Sequence, residues 1–159
     1  MSQTSEIALF EQLAFIRGLT WNVFDRIPVA QHDVMPAGFR NHIRWQLAHV
    51  LFVMERFAFQ LCGQPFEDHD ILAKQYGNGS TPHTWDGSEM SVDQLKSRYS
   101  DQIDRVRAAL IGKLDEPLLE PYQTANGAKM NTPRELMTYA VFHEGMHLSV
   151  IKMYSSLLK

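Results

Sequence analysis

Apolar residues in this chain recur every three or four positions, segment after segment, and almost nowhere alternate. That period puts them on one face of a helix rather than one face of a strand. Between Ser5 and Ile27 the series is Ile7, Phe10, Leu13, Ile16, Leu19, Val23 and Ile27, with Ser5 as the expected N-cap and Pro28 closing the segment. A second helix is predicted over 39–62, on Ile43, Leu47, Val50, Met54, Phe57 and Leu61, stopping at Gly63-Gln64-Pro65. A third opens at Ser91-Val92-Asp93-Gln94, a capping-box pattern. It carries Val92, Leu95, Tyr99, Ile103, Val106, Leu110 and Leu114, and Pro117 ends it. The fourth begins at Thr132-Pro133-Arg134-Glu135, where N-cap, proline at the first helical position and Glu at the third coincide.

The connections suggest how these helices are arranged. Residues 64–90 form a long link rich in Gly, Pro, Asp and His, of a length that tends to be functional. A long crossover lets consecutive helices run parallel, so the expected fold is all-α: an up-down-down-up four-helix bundle with its crossover between helices two and three. Asn126-Gly127, within 121–130, predicts a small β-hairpin before the last helix. One domain, 1–159, accommodates all of it. A second stripe on helix two, Trp45, Phe52 and Phe59, is too large to leave in water. It predicts a homodimer, unless the 64–90 link packs over it.

Charge and composition narrow the function. Fifteen Lys and Arg against 18 Asp and Glu give a net charge of −3, without the basic excess of a nucleic-acid binder. The single cysteine, Cys62, excludes an intramolecular disulfide and a Cys-based zinc cluster. As a lone buried thiol it is expected to be inert. The stretch Met1 to Glu6 lacks a basic leader, and the longest wholly apolar run, Val50 to Met54, is far short of a bilayer span. A cytoplasmic protein with no membrane segment is expected. The unusual feature is seven histidines.

His143 and His147 fall in the middle of the last helix's apolar stripe, formed by Leu136, Tyr139, Ala140, Val150, Ile151, Tyr154 and Leu158. Four apart, they stack one turn from each other on the core face. A divalent metal would satisfy both; hydrogen bonds to a carboxylate or water would be the plainer alternative. Bundle cores are where facing helices build metal sites. The third ligand expected from helical position is His49, at the border of helix two's two apolar faces. His42, close to that helix's start, is less well placed, and His69 and His83 in the long link and His32 in a loop are weaker still. Three imidazoles leave coordination positions open, the mark of a catalytic site. They suit zinc, nickel, manganese or iron without choosing among them. A fourth ligand such as His69 or Asp70 would instead close the site and make it structural.

His143-Glu144-Gly145-Met146-His147 also matches the His-Glu-x-x-His helix of zinc peptidases. Only 12 residues follow His147, Val150 and Met153 stand where the extended motif needs Gly and His, and no sheet precedes the helix to hold a peptide. The peptidase reading is therefore set aside. Glu144 is left as a hydrogen-bond partner or base near the site, or as an exposed helical carboxylate.

Taken together, Gln46-Leu47-Ala48-His49-Val50, the Asn126-Gly127 turn, Thr132-Pro133-Arg134-Glu135 and Phe142-His143-Glu144-Gly145-Met146-His147 resemble the DinB/YfiT-like superfamily over nearly the whole chain. The resemblance implies an up-down-down-up bundle, commonly homodimeric, with a divalent metal held by His49, His143 and His147. Some relatives activate low-molecular-weight thiols, whereas many have no assigned reaction. The expected function is a metal-dependent enzyme of thiol S-transferase or hydrolase type, its substrate contacts drawn from the long link through Tyr76 or Trp85. The alternative is a non-catalytic, metal-stabilised, stress-related binding protein. Beyond the ligands no catalytic residue stands out, and no substrate can be carried over.

Overall fold

The computed structural model describes residues 3–66 and 68–159; Met1 and Ser2, part of the stretch read above for a leader, and Glu67 lie outside them. Among the described residues the fold has five α-helices and one two-stranded hairpin: α1 (Gln3–Phe24), α2 (Ile43–Glu55), α3 (His69–Tyr76), α4 (Val92–Leu110), β1 (Tyr122–Gln123), β2 (Lys129–Met130) and α5 (Pro133–Leu157). α1 and α2 each pack against both α4 and α5. Helices distant in sequence are thus the neighbours that form the core. Among the described residues no helix is long and apolar enough to cross a membrane.

Local signals set the boundaries where caps are strong. Ser91 and Gln94 form the reciprocal capping box of α4, and Thr132 and Glu135 that of α5, with Pro133 in the first turn. The hairpin pairs Tyr122 with Met130 and Gln123 with Lys129. Gly127 turns it at φ +90°, a backbone conformation that side-chain-bearing residues rarely adopt.

Four expectations need correction. α1 starts at Gln3, so Ser5 lies inside it rather than capping it. Its buried face is Leu9, Phe10, Leu13, Arg17, Thr20 and Phe24, rotated from the stripe read above; Leu19 is exposed, and Ile27 lies beyond the helix end. α2 starts four residues later than expected because His42 caps it, its ring Nδ1 accepting from the Trp45 N–H at 3.0 Å. The helix then loosens into a π-helical segment, Arg56–Gln60. Finally, the 64–90 link carries a helix of its own. α3 seats Leu72, Gln75 and Tyr76 against α2.

That link covers two residues of the second stripe, Trp45 and Phe52, and α4 the third, Phe59. Trp45 is buried, its indole N–H donating to the Ser80 hydroxyl. Phe52 is buried against Phe66 and His69, and Phe59 lies beneath the Arg105 guanidinium. The stripe that prompted the expectation of a dimer is covered by the chain itself.

Candidate metal centre

His49 projects from the middle of α2, and His143 and His147 from the middle of α5, the helix packed beside it. Their ligand atoms all lie within 4.8 Å of one another. His143 Nε2 is 3.3 Å from His49 Nε2 and 3.2 Å from His147 Nε2. Tetrahedral coordination with metal–nitrogen bonds of about 2.0–2.1 Å requires nitrogens about 3.3–3.4 Å apart, so two of the three separations already match.

The opposite edge of two of the rings is held. His49 Nδ1 donates to the Tyr76 backbone carbonyl at 2.6 Å, and His147 Nδ1 donates to Gln46 Oε1. A neutral imidazole has one N–H. With Nδ1 protonated, the Nε2 atoms of His49 and His147 both present lone pairs to the centre. His143 has one proton at most to offer them, so the donor set fits a cation. Trp45 stacks on the His49 ring at 4.7 Å with 12° between planes and fixes its tilt. The Tyr76 carbonyl is itself held at the end of α3, where Gly77 is required: a Cβ there would come within 2.3 Å of the Ala73 carbonyl oxygen.

Burial keeps these rings neutral. It lowers the His49 pKa, against the pull of the Tyr76 carbonyl. It drives His143 to about 3 and His147 to about 2, reinforced in each case by the neighbouring imidazoles. All three are in the ligand-competent state over the whole physiological range.

The centre opens onto a cleft of about 440 Å³. One wall is apolar and aromatic, with Phe39, Phe52, Phe57, Tyr139, Val150 and Tyr154; the hairpin supplies Tyr122 and residues 124–126. Tyr76 and Trp85, expected to contact substrate, do not line it. The Tyr76 side chain is fully buried with its hydroxyl accepting from the Met90 N–H, and Trp85 packs on His42 and Tyr76. From the long link Asn78 reaches the cleft instead. The hairpin's role as a wall was missed, since Asn126-Gly127 signals a turn but not what the turn faces.

The other histidines are otherwise engaged. His32 packs its ring on Phe24 at 4.3 Å and bonds the Ile27 carbonyl. His42 is the α2 cap, and burial takes it down to about 4. His69 pairs with Asp70 at 3.0 Å and sits edge-on to Phe66, and His83 lies in the Pro82–Thr84 turn. Among the described residues no fourth His, Cys, Asp or Glu joins the cluster. Glu144 fits neither expectation: it is buried, and it faces Arg17 of α1 at 3.1 Å instead of the cleft. Cys62 is bonded to the Phe57 carbonyl, and burial pushes its thiol up to about 11.

Three neutral imidazoles that converge on an open cleft of a helical protein are positioned to hold a metal ion. The family follows from the sequence comparison. The model of the DinB superfamily matches residues 12–151, and the chain belongs to that superfamily. No curated protein matches it.

Proposed function

We propose that this chain is a divalent-metal-dependent enzyme of thiol S-transferase or hydrolase type, with His49, His143 and His147 as the metal ligands. The observation that carries the reading is the convergence of three Nε2 atoms, two with lone pairs enforced from behind, in the lining of a cleft large enough for a small molecule. A divalent ion bound there lowers the pKa of a thiol or water that coordinates it. The chain's own part is to hold the imidazoles neutral through burial, aim them through Tyr76 and Gln46, and shield them with Trp45. We take the four long helices as an up-down-down-up bundle and the protein as cytoplasmic. Against the non-catalytic reading stands the open side of the cluster, which neither His69 nor Asp70 closes.

Metal content by mass spectrometry tests the reading. About one divalent ion per chain is expected in untagged protein, and its loss in His49→Ala and in His147→Ala. Screens of thiol transfer and hydrolysis with the loaded protein then separate the two reaction types. No uptake after incubation with zinc, nickel and manganese would overturn the reading.

The homodimer common in the family is proposed to use the exposed ridge Phe142, Met146, Met153 and Leu157 of α5. Light scattering should give a dimer that Phe142→Glu converts to a monomer; a monomeric wild type ends the proposal.

A further inference from the structure

Among the described residues that line the cleft, one carries a full charge. Among the described residues no Asp, Glu or Lys lines it, whereas Arg56 does. Arg56 is half-buried and has no carboxylate partner among the described residues. Its Nε donates to Gln60 Oε1 at 3.3 Å, and its guanidinium lies 5.2 Å from the Tyr122 ring centre on the hairpin. These two contacts hold the flat group by one edge and one face. The edge formed by its terminal nitrogens is the one suited to gripping an oxyanion with two parallel hydrogen bonds.

The position of Arg56 in α2 sets the reach. Seven residues separate it from His49, two helical turns and about 10 Å along the axis, and so on the same side of the helix. Arg56 is also the first residue of the π-helical segment, a deformation often found at functional sites. Phe52, Val53 and Phe57 line the cleft around it.

We infer that the substrate is an elongated organic monoanion, whose carboxylate docks on Arg56 while its reacting end lies at the three histidines. A single carboxylate matches the single guanidinium. A phosphate dianion would leave a negative charge uncompensated in a cleft with no second Lys or Arg. The apolar wall takes the chain between the two ends. Arg56 is thus a specificity residue at the far end of the site, and the inference rests on the metal reading above.

Two probes of equal length test it: 6-mercaptohexanoate and the uncharged 6-mercaptohexanol, titrated calorimetrically into zinc-loaded protein. The carboxylate is expected to bind about tenfold more tightly than the alcohol. In Arg56→Gln the advantage should vanish while the alcohol binds as before, which also reports an intact centre. Equal binding of the two probes to wild type, or an advantage that survives Arg56→Gln, overturns the inference and leaves the metal reading standing. Failure to load zinc overturns the metal reading, and the inference with it.

Discussion

Replacing Arg17 with methionine is expected to cost about 3–5 kcal/mol of folding stability, a large share of what a domain of this size has to lose. Arg17 and Glu144 are both buried, 3.1 Å apart, and the Arg17 guanidinium lies 4.3 Å from the Tyr99 ring centre. Burial raises the Glu144 pKa, and the Arg17 charge is the chief influence pulling it back. Without Arg17 the carboxylate is left buried and unpaired, so its folded pKa rises further above the unfolded value. Between those two values the native state holds the proton more strongly than the unfolded chain, and the variant loses stability as pH rises. The deficit relative to wild type should therefore be larger at pH 8 than at pH 6 in urea titrations. Adding Glu144→Gln should recover part of it. A deficit below about 1 kcal/mol at pH 8 would show that the pair contributes little.

Acid should weaken the metal-free protein through its buried histidines. Four histidines have folded pKa values below their unfolded value of about 6.5: His42 at about 4, His143 at about 3, His147 at about 2, and His49, also lowered. Burial is the leading cause in all four; at His42 the nearby Asp33 opposes it and Arg44 assists it. Below pH 6.5 the unfolded chain takes up protons that the native state refuses, so stability falls as pH falls, and the loss continues toward the folded values. Each group contributes on the order of 1 kcal/mol per pH unit across that window. Thermal unfolding of chelator-treated protein should show a steep decline between pH 6.5 and 5, and added zinc should raise the midpoint by mass action. A flat profile over that range would mean that the imidazoles are solvated rather than buried.

What could be read from the sequence was what neighbouring residues decide. The starts of α4 and α5 rest on Ser91/Gln94 and Thr132/Glu135, each a contact between residues three apart, and both boxes formed as read. The three histidines were found because helical spacing alone aligns His143 with His147 and keeps His49 at the inner border of α2. The buried face of α1 was misdrawn at Arg17, since an arginine reads as surface unless its partner is known, and Glu144 lies 127 positions away. α3 was hidden because Gly, Pro and Asp flank it, although His69 to Tyr76 contains neither Gly nor Pro. The carbonyl that orients His49 also escaped notice, because every residue has one. Only the packing of α3 on α2 singles out that of Tyr76.

The hairpin divides the cleft into parts with different tolerance for change. The imidazoles sit on long helices, braced by Tyr76 and Gln46, and a substitution there disturbs the core. Residues 124–126 lie in the loop between two strands of two residues each. They border the same cavity and are not partners in the two hydrogen bonds that brace His49 and His147 from behind. A substitution in this loop is therefore expected to change the shape of the cleft while leaving the hydrogen bonds to His49 and His147 in place. The doorway of the cleft and its hearth thus rest on separate parts of the fold.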